Sequence, residues 1–134
     1  MFSAETETRF KHLVSIYPVK RSALIPMLLL AQKEEGYVTQ KAMEYIAEIL
    51  ELSASEVEST LTFYTLLRRK PAGKYHFMIC TNLACMLRGS DEIEACVKRM
   101  LGVELGHVTP DGLFSAIELE CLGAYTTAPA LQVN

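Results

Sequence analysis

The chain has 134 residues, half of them hydrophobic, with a formal net charge of -3 and a pI near 5.6. This length fits one domain, or a small domain with a helical appendage, and the acidic balance argues against nucleic acid, which binds a clustered basic face. The most apolar run, residues 23–31, is far shorter than the ~20 residues of a membrane span, so no direct membrane insertion is expected.

Residues 1–67 predict four short amphipathic helices. Each begins at a capping residue: Ser3, Ser22, Thr39 and Ser53, the last in a capping box with Glu56. The apolar positions recur at helical spacing and are Phe10, Leu13, Val14, Tyr17, Leu24, Met27, Leu28, Ala31, Met43, Ile46, Ala47, Leu50, Val57 and Leu61. Such short helices cannot each bury a face alone, so we expect them to pack on one another or on the rest of the chain.

After a Pro-Ala-Gly boundary at residues 71–73, the hydrophobic period changes. Residues 74–80 predict a buried strand, and residues 90–101 predict a helix that Ser90 caps and Gly102 ends. Residues 113–120 alternate as a half-buried strand, and residues 130–133 form a short last strand. This order predicts a compact α/β unit.

Three cysteines fall at the ends of predicted strands. Cys80 ends the first strand, Cys85 lies in a predicted loop at residues 81–87, and Cys121 follows the later strand. The N-terminus lacks a secretory signal, so the protein is expected in a reducing compartment, where cysteines are more often ligands, catalytic groups or core than disulfides. The fourth, Cys96, lies on or beside the apolar face of a predicted helix and is assigned to the core.

The spacing of these cysteines favours some chemistries over others. A redox dithiol favours C-x-x-C, whereas Cys80 and Cys85 have four residues between them. A structural zinc site uses C-x2-C knuckles with histidine as a further ligand, and neither His76 nor His107 lies at that spacing. A [2Fe–2S] cluster needs four thiolates, of which the chain supplies three.

Four stretches of the sequence carry a family resemblance. They are RSALIPMLLLAQKEEGYVT, STLTFYTLLRRKPAGKY, AGKYHFMICTNLAC and PDGLFSAIELECLGAYTTAPALQVN. Together they resemble the thioredoxin-like [2Fe–2S] subunit of NADH:quinone oxidoreductase, respiratory complex I. NAD-reducing hydrogenases and NAD-dependent formate dehydrogenases contain the same module.

The resemblance implies an α+β chain with a helical bundle at residues 1–72 and a thioredoxin-like ferredoxin α/β domain at residues 73–134. The family's C-terminal helix is expected to be absent. The family pattern C-x4-C…C-x3-C places its four cluster ligands at Cys80, Cys85, Cys121 and Tyr125. The resemblance also implies a flavoprotein partner that binds FMN and NADH.

Tyr125 departs from that pattern. A phenol titrates near pH 10, so forming a phenolate at pH 7 costs roughly 4 kcal/mol before metal binding offsets it. Three explanations stay open: an empty site, a rearranged loop in which Tyr125, Cys96 or water completes the set, and a substituted variant of a cluster-binding protein. We expect a weakened or absent cluster on a retained fold.

The prediction is therefore an accessory electron-transfer subunit of an NADH-oxidising complex, with a [2Fe–2S] cluster beside the FMN-binding subunit. The chain has no Gly-rich dinucleotide fingerprint after a strand, so no catalytic residue is assigned, and FMN and NAD are placed on the partner. The expected location is cytoplasmic, peripheral to the membrane through the complex. The alternative is a cluster-free structural module that braces the flavoprotein.

Overall fold

The computed structural model describes residues 2–134, which divide into two compact units. The first unit ends at Pro71 and is helical, whereas the second, Ala72–Asn134, contains a small mixed sheet with two helices. The predicted α+β class is confirmed.

The first unit consists of four helices and one 3-10 turn. They are α1 (Ala4–Ile16), the turn Lys20–Ala23, α2 (Leu24–Glu35), α3 (Gln40–Leu50) and α4 (Ala54–Phe63). Ser3, Thr39 and Ser53 each accept a hydrogen bond from a backbone N–H of the helix that comes next, as predicted. The predicted cap at Ser22 is wrong, because the 3-10 turn runs through this residue and Ala23 is the N-cap of α2.

The predicted inward faces form the core of this unit. The buried members are Phe10, Leu24, Met27, Leu28, Ala31, Met43, Ile46, Ala47, Leu50, Val57 and Leu61, and Leu13, Val14 and Tyr17 pack partly buried against them. The segment after α4 is held to α2 by Gln32, whose side-chain amide donates to the carbonyl of Leu66 at 3.0 Å. Among the helices of residues 2–134, none combines the length and apolar character that a membrane crossing requires.

The second unit is organised on three strands. Its elements are β1 (Tyr75–Cys80), α5 (Leu83–Leu87), α6 (Ser90–Leu101), β2 (Phe114–Leu119), a 3-10 turn (Tyr125–Thr127) and β3 (Leu131–Val133). The strand order is β2-β1-β3, with β2 parallel and β3 antiparallel to β1. Cys80 pairs with Leu119, so the carboxyl ends of β1 and β2 lie at one edge of the sheet.

Two local predictions in this unit are wrong. The segment predicted as a loop around Cys85 contains the short helix α5, which begins where the side-chain oxygen of Asn82 accepts from the N–H of Leu83 at 3.0 Å. The N-cap of α6 is Gly89, at φ 94°, rather than Ser90. The hydroxyl of Ser90 is buried and has no hydrogen-bond partner among residues 2–134.

The other end of the sheet is fixed by a hydrogen-bonded group beside Gly73. The Gly73 N–H donates to Ser115 Oγ at 2.8 Å, and the same oxygen lies 2.7 Å from His76 Nδ1. A Cβ at Gly73 would lie 2.4 Å from the backbone carbon of Phe114. The close approach of these two backbone segments therefore requires glycine here.

Candidate metal centre

The sheet and its loops bring the predicted donors to one edge of the second unit. Cys80 is the last residue of β1, Cys85 lies in the middle of α5, and Cys121 lies two residues after the end of β2. Tyr125 begins the 3-10 turn that comes next along the chain. Cys80 and Cys85 are buried, with exposed fractions of 1% and 4%, whereas Cys121 and Tyr125 are exposed.

The two buried thiols, Cys80 and Cys85, interact through a side-chain hydrogen bond that shifts their pKa values in opposite directions. This bond raises the pKa of Cys85, and the burial of the Cys85 thiol away from water raises that pKa further. The pKa of Cys80 is lowered, chiefly because the Leu122 N–H donates to its sulfur, with further donors at Asn82 and Cys85. Cys80 is therefore the buried sulfur that more readily carries negative charge.

The two exposed donors form a second pair. The hydroxyl of Tyr125 interacts with the sulfur of Cys121, and this interaction is the main reason that the pKa of the Tyr125 phenol is raised. The charge of Cys121 also raises the pKa of Cys85, and that of Cys80 raises the pKa of Tyr125. The two pairs are therefore close enough to interact electrostatically.

Backbone N–H groups surround the sulfur atoms. Besides the donors to Cys80, the N–H of Ala130 donates to the sulfur of Cys85, and that of Gly123 lies 3.3 Å from the sulfur of Cys121. Such donors stabilise thiolates and orient them as ligands. Sequence reasoning did not predict them, because they depend on how the loop at residues 120–130 folds back over β1.

The remaining residues considered from the sequence lie outside this cluster. His76 is buried against Ser115, and His107 is exposed, with Nδ1 3.3 Å from the carbonyl of Leu105. Cys96 is half-buried on α6, 3.8 Å from the sulfur of Met100, so its assignment to the core is corrected to the partly exposed face of that helix. Arg88, which the sequence did not single out, donates from Nε to the carbonyl of Ala128 at 2.7 Å.

Within residues 2–134, no three His, Cys, Asp or Glu side chains are arranged so that they could hold a metal ion. The donors meet instead as two pairs, Cys80 with Cys85 and Tyr125 with Cys121. The assignment of Cys80, Cys85, Cys121 and Tyr125 as ligands therefore stays a prediction.

The fold and the site define a class of protein: a small α+β protein with a thiol-rich edge where two parallel strands end. A family model described as thioredoxin-like [2Fe-2S] ferredoxin matches residues 10–134, and the chain belongs to that family. The family resemblance in the sequence is thereby confirmed.

Curated relatives carry related names. The chain is 46% identical over 116 residues to an NADH-quinone oxidoreductase subunit of Rickettsia bellii. This match covers 86% of this chain and 70% of that protein. It is 42% identical over 118 residues to an NADH-quinone oxidoreductase subunit of Rhizobium meliloti, covering 88% of this chain and 70% of that one. It is 41% identical over 115 residues to NADH-quinone oxidoreductase subunit 2 of Thermus thermophilus, and this match covers 86% of this chain and 64% of that protein.

A solved structure supports the fold. A chain of the NAD+-reducing [NiFe]-hydrogenase in its H2-reduced state matches with a TM-score of 0.68 at 19% identity, covering 84% of this chain and 19% of that one. At this identity, the likeness concerns the fold alone.

The donor set can be compared with what the family cofactor requires. A [2Fe–2S] cluster takes two thiolates on each iron. The chain supplies three thiols and one phenol, and the hydrogen bond to Cys121 moves that phenol further from ionisation. The residues fit three of the four positions and do not fit the fourth.

Proposed function

We propose that the chain is an accessory electron-transfer subunit of an NADH-oxidising complex of the NADH-quinone oxidoreductase type. In this proposal, Cys80, Cys85 and Cys121 hold a [2Fe–2S] cluster weakly, with Tyr125 at the position of the fourth ligand. The observation that carries it is that Cys80 and Cys85 are buried together where β1 ends, while Cys121 comes two residues after the end of the parallel strand β2. The names of the curated relatives support the kind of complex.

The partner in this proposal is a flavoprotein subunit that holds FMN and NADH, together with other subunits of the complex. The short helix α5, which carries Cys85, has three exposed apolar side chains. Leu83 and Leu87 are 64% and 75% exposed, and Met86 is also exposed. Exposed apolar groups clustered beside a redox site support docking of another protein there.

A second candidate function is a structural module that braces the flavoprotein without a cluster. The interaction between Tyr125 and Cys121 favours this candidate, because it engages the residue at the fourth ligand position with one of the three thiols. Both candidates share the fold and the partner, so they differ only in the metal content of the complex.

Purification from the native source under argon tests both parts of the proposal. We expect co-purification of an FMN-containing chain, iron at well under two atoms per chain, and a correspondingly weak visible absorption. An iron-free complex that retains the flavoprotein would favour the bracing module. A stable monomer without a flavin-containing partner would contradict both candidates. Fractionation of the cells tests the expected peripheral association with the membrane.

A further inference from the structure

Arg88 joins the two segments that carry the candidate donors. It lies at the carboxyl end of α5, where its backbone N–H donates to the carbonyl of Cys85 at 3.1 Å. Its side chain extends to the other segment, and Nε donates to the carbonyl of Ala128 at 2.7 Å. One residue is thus bonded through its main chain to the Cys85 helix and through its side chain to the loop of Cys121 and Tyr125.

The acceptor of this bond is close to the buried thiols. Ala128 is 4% exposed and belongs to one buried cluster with Cys80 and Cys85. It also lies directly after the 3-10 turn that Tyr125 begins. The position of the Ala128 carbonyl therefore determines where that turn lies relative to the buried pair.

Other contacts also join the two pairs: the Cys80 N–H donates to the carbonyl of Ala130 at 3.1 Å, and the Leu122 N–H interacts with the sulfur of Cys80. The Ala130 N–H donates to the sulfur of Cys85, and the Asn82 amide lies 3.4 Å from a carboxylate oxygen of Glu120. Sulfur is a weak acceptor, and 3.4 Å is long for a hydrogen bond, whereas a charged donor at 2.7 Å makes a strong one. Among these contacts, the bond of Arg88 is the one with a charged side-chain donor.

We infer that Arg88 is a positioning residue for the candidate metal centre. Its bond to Ala128 holds α5, which carries Cys85, against the loop that carries Cys121 and Tyr125. That these pairs serve a metal rests on the proposed function, whereas the bond itself belongs to the metal-free chain.

Two substitutions separate the hydrogen bond from the charge. Arg88→Gln places an N–H donor at the same number of bonds from Cα as Nε and removes the charge. Arg88→Met has a similar shape and removes both. Arg99→Met is the matched control, because Arg99 is an exposed arginine on α6 with no side-chain hydrogen bond or ion pair among residues 2–134.

The measurement is pulsed alkylation of the metal-free protein with iodoacetamide, followed by peptide mass spectrometry for each cysteine. We expect Arg88→Met to raise the alkylation rates of Cys80 and Cys85 on the order of tenfold, because loss of a charge-assisted bond increases local opening. The rate at Cys96 should not change, and Arg99→Met should resemble the native protein. Arg88→Gln keeps a donor but loses the charge, so its rates should lie closer to the native protein than to Arg88→Met.

Three results would overturn the inference: no increase in Arg88→Met, an equal increase at Cys96, or equal increases in Arg88→Met and Arg88→Gln.

Reconstitution with iron and sulfide distinguishes this failure from failure of the proposed function. If no form binds iron but the alkylation pattern is as expected, the proposed function fails and the positioning role stands. If iron binds equally in all forms and alkylation is unchanged, the positioning role fails and the function stands.

Discussion

The interaction of the Tyr125 hydroxyl with the sulfur of Cys121 is the main reason that the pKa of the Tyr125 phenol is raised. This interaction stabilises the protonated phenol and so raises its pKa, which is already near 10 for a free tyrosine. A protonated phenol is a poor iron ligand, and the thiol that it contacts is one of the three candidate ligands. The relationship between these two residues therefore supports the proposal that a cluster at this site is held weakly.

The backbone contact at Gly73 predicts a large effect of a single methyl group. Gly73→Ala should lower the unfolding free energy of the second unit by about 3 kcal/mol or more, because the new Cβ would overlap the backbone of Phe114. Gly102→Ala is the control, with a left-handed backbone but open space around it, and should cost about 1–2 kcal/mol. Denaturant unfolding measures both. A Gly73 variant as stable as the Gly102 variant would show that the contact is not tight.

The capping box of α4 predicts a pH dependence. The carboxylate of Glu56 accepts from the N–H and the hydroxyl of Ser53, and these bonds, with Arg21 nearby, hold its pKa below the usual range. Because the folded pKa is depressed, this stabilisation is fully present above the unfolded pKa of about 4.3 and is lost as pH falls through the folded value.

At neutral pH, the unfolding free energy of the native chain should therefore be larger than that of the Glu56→Gln variant. The difference between the two should shrink as the pH falls below about 4. Denaturant unfolding between pH 7 and pH 3 checks this. Glu48→Gln serves as the control, since the side chain of Glu48 is exposed and forms no hydrogen bond or ion pair among residues 2–134. A Glu56 difference that grows toward acid would contradict the assignment.

Substitution of Cys96 should not affect the candidate metal centre. This residue is half-buried on α6 beside Met100, so Cys96→Ser should lower the unfolding free energy by less than about 1 kcal/mol. Iron bound after reconstitution should be the same as in the native chain. Loss of iron in this variant would make Cys96 a ligand through a rearrangement that the structure does not contain.

The helices of the first unit were predictable because their signals are local. The inward face of α3 follows from the spacing of Met43, Ile46, Ala47 and Leu50, and its start follows from Thr39. The caps assigned to Ser22 and Ser90 failed because the backbone before each residue, a 3-10 turn and a left-handed glycine, determines which residue is the N-cap. Helix α5 has five residues, too few for a periodic signal.

The sequence predicts which residues the candidate site would use, and that assignment stays a prediction, whereas the contacts of these residues were found only in the structure. The positions of Cys80, Cys85 and Cys121 follow from the strands and the family pattern. The donors from Leu122 and Ala130 and the bond from Arg88 to Ala128 involve backbone groups that every residue has, so only the folded loop identifies them. The pairing of Tyr125 with Cys121 is between side chains, and it depends on the conformation of the loop that carries both residues.

The most direct test of the account is iron and sulfide analysis, with electron paramagnetic resonance on reduction, of the native chain and Tyr125→Cys prepared side by side under argon. A cysteine at this position would complete four thiolates on the loop that already carries Cys121. The account predicts well under two irons per chain for the native form, and a red-brown protein with a resonance signal for the variant. Full cluster occupancy in the native form would contradict it and make Tyr125, or another group, a true ligand.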